Sequence, residues 1–490
     1  MTDRIARTAR CCAVGTIVLL AVAFVVVRPP VPPGPYMRDF EPQYAAGATY
    51  AAGLNPYAVA IWAAERTVPG VDPRHEELLP FVGAPVTLPL AAALARLPYL
   101  VAAALWSLVI AAAVATILLG AFTLAGGRPN LGNLFALVAL CIGFTPLISG
   151  ISLGQEVLPA LAGVVAASWL ANDRRAPRWT RGVAASLCGF KPTIAALLVP
   201  LLFRRRWSGV LVTAAALIGA GCFLAVHGMN GIAAYLAALR GQGTAERFDV
   251  IQFTPFAIAY DFGLGPRGAS AVSISLALAA LLIAAWTIRE RRRTDVESVA
   301  LAAAAFPLVC PFLHAHDLSV TLLPGLLCVV RARGAAWLAA ACGLLLVGGG
   351  WFGFSQGLDG LGFTLGLFLV AVFAVIALAG PAVGLVRLAP LGLVPLALAY
   401  GWFAIAHPIT FWPAALPSGF AVPGHPAASV VWEIEQRVNG LERPDAWWAS
   451  LRAVSLAGSA MLFGAMVALL RPERALERRP RMLAWLLVEG

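Results

Sequence analysis

Apolar runs of roughly 20 residues recur from one end of this chain to the other, each long enough to cross a bilayer as a helix. No other feature limits the fold as strongly. The 490 residues are 60% hydrophobic and 12% charged, with a mean hydropathy of +0.83. A soluble domain carries about 25% charged residues, so the expected fold is an all-α polytopic membrane protein. The first run, Cys11 to Val27, lacks a small-residue cleavage site and reads as a retained helix rather than a signal peptide.

The net charge of +11 does not point to nucleic acid, because the arginines punctuate the apolar runs instead of forming one basic face. The clusters Arg174-Arg175-Ala176-Pro177-Arg178, Arg204-Arg205-Arg206, Arg289-Glu290-Arg291-Arg292-Arg293 and Arg331-Ala332-Arg333, with the tail from Arg471, are expected in the cytoplasm. Asp39, the 227–255 loop, His314–Asp317, the 355–360 turn and the 407–448 segment then face outward. The eight cysteines show no metal-ligand spacing and read as small core residues.

Two runs break this counting. Run 182–203 has basic clusters at both ends and Gly189-Phe190-Lys191-Pro192 in its middle. Each half reaches only to mid-membrane, which predicts a re-entrant or broken helix pair with Lys191 near the tip. Run 132–149, interrupted by Gly143 and Pro146, is expected to be a partial crossing. About twelve transmembrane helices result, with both termini inside, as a module over 1–330 and further helices with the exterior loop 407–448 over 331–490.

Asp39, in Tyr36-Met37-Arg38-Asp39-Phe40-Glu41, follows the first run by about a dozen residues. A carboxylate in a loop ordered against the outer bilayer surface suits a general base for a lipid-borne substrate. Glu41 competes for that role, and an ordinary solvated acid paired with Arg38 is the plain reading. Glu156 opens an apolar helix and is costly there unless partnered, although a first-turn glutamate also suits the helix dipole. Lys191 is the only lysine in a chain that otherwise uses arginine. A compact ammonium at membrane depth suits a phosphate, or a structural salt bridge to Glu156. His314 and His316, two apart, fit no standard zinc pattern and could bind phosphate, hold the base or join Asp39 on a metal. Arg240 and Arg247 are candidate phosphate clamps in an exterior Gly-rich stretch, or ordinary loop charge.

In order, these landmarks resemble glycosyltransferase family 87, of the GT-C membrane glycosyltransferases. The stretches that carry the resemblance are Asp39-Phe40 with Gly53-Leu54-Asn55-Pro56-Tyr57, Gly154-Gln155, Lys191-Pro192 with Pro200 to Trp207, and Pro311 to Pro324. The likeness covers roughly residues 10–330. An aromatic-Pro-Pro element is present only as Phe81-Val82-Gly83-Ala84-Pro85, and Glu156-Val157 stands where the family usually has an Asn. The resemblance implies a catalytic first exterior loop with Asp39 as base, and Lys191 with a histidine of the 314–316 pair at the donor phosphate. It further implies an inverting sugar transfer, of mannose first, from a polyprenyl-phosphate donor to a glycolipid or glycan hydroxyl. The expected setting is the outer face of a bacterial cytoplasmic membrane. Membrane lipids, the lipid-linked donor and the acceptor are the expected partners, with no nucleic acid and no resident cofactor; the histidines leave a divalent metal open. A secondary transporter or flippase for a lipid-linked or small anionic substrate is the alternative, since broken helices and midplane charges serve transport too.

Overall fold

The structure is a computed structural model that describes residues 37–57, 68, 79–172, 176–204, 207–289, 294–351, 358–379, 381–407, 428–438 and 440–471. The run Cys11–Val27, the arginines of 174–175, 205–206 and 291–293, half of the 355–360 turn, much of 407–448 and the tail beyond Arg471 lie outside these residues.

The α-helices longer than seven residues are numbered here. They are α1 (Glu41–Ala51), α2 (Tyr99–Leu124), α3 (Leu131–Gly143), α4 (Thr145–Leu153), α5 (Val157–Asn172), α6 (Arg178–Ser186), α7 (Ser208–Ala225) and α8 (Met229–Ala245). They continue with α9 (Pro266–Ile288), α10 (Asp295–Val309), α11 (Leu322–Arg331), α12 (Gly334–Gly348), α13 (Leu358–Leu378), α14 (Val394–Ala406), α15 (Ala428–Val438) and α16 (Ala446–Leu470). No strand occurs among the described residues, and the all-α polytopic architecture holds.

Five described spans are long and apolar enough to cross a bilayer: α2, α7, α9, Val383–Ala404 and α16. A sixth is the bent pair α3–α4, whose halves meet at 72°. The bend falls at Phe144, which is extended; Pro146, in the first turn of α4, lacks an N–H and stops α3 from running through. This is the expected interruption of 132–149. Five further apolar helices, α5 and α12 among them, are only 10–17 residues long.

The expected break in 182–203 falls at Lys191. Helix α6 and a 3-10 turn (Leu187–Phe190) lead into Lys191, which is extended at φ −135°, ψ 94°. Pro192 forces that conformation on its predecessor and then starts a 3-10 helix, Pro192–Phe203. Runs of 3-10 helix beyond three or four residues are uncommon and often mark functional segments.

One buried apolar core runs from Met37 to Leu470 and so passes through position 330. Helices α12 and α16 cross at its centre, where a Cβ on Gly343 would lie 2.7 Å from the Gly458 carbonyl. Small residues at such crossings let backbones approach without lipid between them. By contrast, α7 and α9 have only 17% of their apolar windows buried and present the rest outward. The core helices carry the site, while the outer ones leave most of their apolar surface uncovered by the rest of the chain.

Candidate functional site

Asp39 sits in a short 3-10 turn, Arg38–Phe40, that leads into α1. The turn is pinned to α2. Phe40 stacks on Trp106 with centroids 5.7 Å apart, and the Tyr99 hydroxyl donates to the Met37 carbonyl at 3.3 Å. Trp106 also donates its indole N–H to the carbonyl of Gly154 at 2.7 Å and packs on Phe190. One aromatic side chain thus gathers the Asp39 turn, the α4–α5 junction and the residue before Lys191.

Gly154 ends α4 at φ +75°, a left-handed conformation that glycine adopts freely. A Cβ there would lie 3.2 Å from Met37. The turn aims Gln155 at Asp39, and the Gln155 amide donates to the Asp39 carboxylate. The residue is partly exposed while its carboxyl is enclosed by protein. Burial raises its pKa above the ordinary value of 3.8, although the Gln155 bond and the charges of Arg38, His314 and Lys191 oppose the rise.

The cationic side of the site is built from distant segments. Lys191 Nζ lies 2.5 Å from Asp317 Oδ1 and 3.4 Å from His316 Nε2. Asp317 Oδ2 accepts the His314 backbone N–H at 3.0 Å, capping the 3-10 helix Ala315–Thr321. Burial would raise the Asp317 carboxyl, but the neighbouring positive charge, that of Lys191 above all, brings it down to about 2. His316 is held neutral by burial and accepts from the ammonium. Burial acts on His314 in the same sense, but the Glu246 carboxylate outweighs it and raises the imidazole pKa. The two histidines therefore differ, one poised to be charged and one neutral.

Glu246, just past the end of α8, escaped the sequence reading. Its Oε2 meets His314 Nε2 at 2.8 Å, and its carboxylate also accepts from Gln242, from Gln252 at 2.9 Å and from the Trp432 indole N–H at 2.8 Å. Trp432 lies on α15. Arg452 of α16 donates to the Gln252 carbonyl at 2.7 Å and pairs with Asp261. No spacing rule joins residues 246, 314, 432 and 452, so the one available signal was a lone acid inside a Gly-rich basic stretch.

Glu156 is buried beside Thr87 and Gly83, and its Oε1 has no hydrogen-bond partner. Burial pushes its carboxyl up to about 8, with Lys191 opposing. Lys191 pairs with Asp317 rather than Glu156. Glu41 is buried in the first turn of α1. Arg247 is exposed and lies over the Phe256 ring at 4.6 Å; Arg240 is exposed on α8.

His314, His316 and Asp317 offer ligand atoms within 4.8 Å of one another, a spacing a metal ion could use. Lys191 already places an ammonium against two of them. A divalent cation would have to displace it and overcome like-charge repulsion. Asp39 is not among the residues of that cluster.

Residues 81–311 match the family model of glycosyltransferase family 87. That span contains Glu156, Lys191, Arg240, Glu246 and Arg247, while Asp39 and His314–Asp317 lie outside it. No curated protein and no solved structure matches the chain.

Proposed function

From this family 87 match, which indicates a glycosyltransferase, we propose that the chain is an inverting membrane transferase. It moves a sugar, mannose in the first instance, from a polyprenyl-phosphate donor to a hydroxyl of a glycolipid or glycan acceptor. The site faces the exterior of a bacterial cytoplasmic membrane. The observation that carries the reading is one carboxylate, Asp39, bonded to Gln155 in a turn that packs on α4, against which the Ala315–Thr321 helix that pairs with Lys191 also packs.

A sugar on a polyprenyl phosphate brings its own leaving group, so the reaction needs a base on one side and cations on the other. Asp39 takes the proton of the acceptor hydroxyl. That oxygen forms the new bond to the anomeric carbon as the bond to the phosphate oxygen breaks. Lys191 and the His314 imidazolium stabilise the charge on the departing polyprenyl phosphate, and Gln155 and Glu246 orient base and imidazole. Attack opposite the phosphate inverts the anomeric carbon. The residue cations suffice for phosphate charge, and no step requires a metal.

Transfer of radiolabelled mannose from polyprenyl-phosphate mannose by the purified chain tests this reading. Product formation that Asp39→Asn abolishes supports it. The break at Lys191 also suits a secondary transporter or flippase. Movement of the lipid-linked sugar across proteoliposomes, with no transfer to any acceptor, would decide for transport.

A further inference from the structure

An apolar cavity lies away from the Asp39 site. A cavity of about 820 Å³ opens between the 3-10 helix Pro192–Phe203 and helices α9 and α10. Its walls are apolar, with Leu197, Ala284, Ala305 and Phe306 among them, and Arg204 and Arg289 also line it. Phe203 is 83% exposed at the rim, so the cavity opens onto the outward surface rather than into the core.

Arg204 follows the last residue of the 3-10 helix and Arg289 follows the last residue of α9, which places both at the ends of apolar segments. Arg204 donates to the Ser298 hydroxyl at 3.4 Å, and neither arginine is paired with a carboxylate among the described residues. The acids of the neighbouring first turn of α10 are engaged elsewhere. Asp295 accepts from Trp207, and Glu297 caps its own helix and lies 3.5 Å from Arg331. In sequence, the two arginines open the basic runs Arg204-Arg205-Arg206 and Arg289-Glu290-Arg291-Arg292-Arg293.

We propose that this groove is a binding site for an anionic bilayer phospholipid, with the headgroup phosphate between Arg204 and Arg289 and the acyl chains along the apolar walls. Charge complementarity selects this occupant. Basic pockets between membrane helices bind anionic headgroups, whereas a zwitterionic lipid brings its own cation beside the phosphate and so neutralises the two guanidiniums less well. A soluble anion would meet the arginines but leave the apolar cavity unfilled. The lipid would also brace Pro192–Phe203, the segment that begins immediately after Lys191. The proposal does not depend on the transferase reading, because it concerns a separate surface.

Native mass spectrometry of the delipidated full chain, titrated with phosphatidylglycerol or phosphatidylcholine, tests it. The wild type should retain phosphatidylglycerol in preference, and Arg204→Gln with Arg289→Gln should weaken that retention roughly thirtyfold, from about 1 kcal/mol per arginine. Arg333→Gln, an exposed arginine away from the groove, should change nothing. Ala285→Phe, which fills the groove and keeps both arginines, should also lose the lipid while its melting temperature stays near wild type. Equal retention by the double variant and the wild type would overturn the site and reduce the arginines to topological charge. Displacement of the lipid by millimolar inorganic phosphate would overturn the acyl-chain part.

Discussion

At the scale of single residues, burial and pairing set the proposed base, Asp39, apart from the proposed phosphate-binding groups Lys191 and His314. Burial raises the Asp39 pKa, so ionising it opposes the fold, and that cost is present above the raised pKa. Asp39→Asn should therefore keep or raise the melting temperature at neutral pH while transfer falls by roughly 10²–10⁴-fold. If turnover survives in Asp39→Asn and is lost in Glu41→Gln, the base has been misassigned. For the same reason, kcat/KM should fall on the acid side at a pH above the ordinary carboxylate range.

Glu246 makes the opposite prediction at the basic limb. His314 is charged below its raised pKa and loses its charge as pH rises through it. Glu246→Gln removes the carboxylate that raises it, so the basic limb of the pH–rate profile should move to lower pH. A change in stability with an unmoved limb would show that Glu246 is structural only. Lys191 offers a third test: if its ammonium meets phosphate as a point charge, Lys191→Arg should fail nearly as badly as Lys191→Met. Its partner in the structure is Asp317, so rescue of Lys191→Met should be sought with Asp317→Asn and not with Glu156→Gln.

At the scale of elements, broken helices set the geometry. The α4–α5 junction works because Gly154 occupies the left-handed region, where a Cβ would also press on Met37 at 3.2 Å. Gly154→Ala should cost about 1 kcal/mol or more in strain and displace Gln155 from Asp39. Activity should fall further than the thermal midpoint suggests, which parallel transfer and melting measurements would show. Both interruptions were legible in the sequence, at Gly143–Pro146 and Gly189–Pro192, because proline acts on local backbone alone. The length of the 3-10 helix after Pro192 was not, since it depends on what that segment packs against.

At the scale of the whole molecule, the late helices support the early residues. Trp432 and Arg452 belong to a region where no motif was recognised, yet they hold Glu246 and Gln252 around His314. Arg452 is fully buried against Asp261, so Arg452→Met would leave a buried carboxylate alone and should cost roughly 3–5 kcal/mol. Chemical denaturation would measure it, and loss of transfer beyond the unfolded fraction would show coupling to His314.

Hydropathy, proline and the single lysine determined the fold class, the two helix breaks and the candidates Asp39, Lys191 and His314, because each expresses local chemistry or bilayer thickness. Only the tertiary structure decided the pairings: Lys191 with Asp317, Gln155 with Asp39, and Glu246 with both His314 and Trp432. It also placed Arg240 and Arg247 at exposed positions, Arg247 against phenylalanine rings. Ion pairs and hydrogen bonds depend on separations of a few ångströms between segments 68 to 186 residues apart, and no periodicity in the chain encodes those separations.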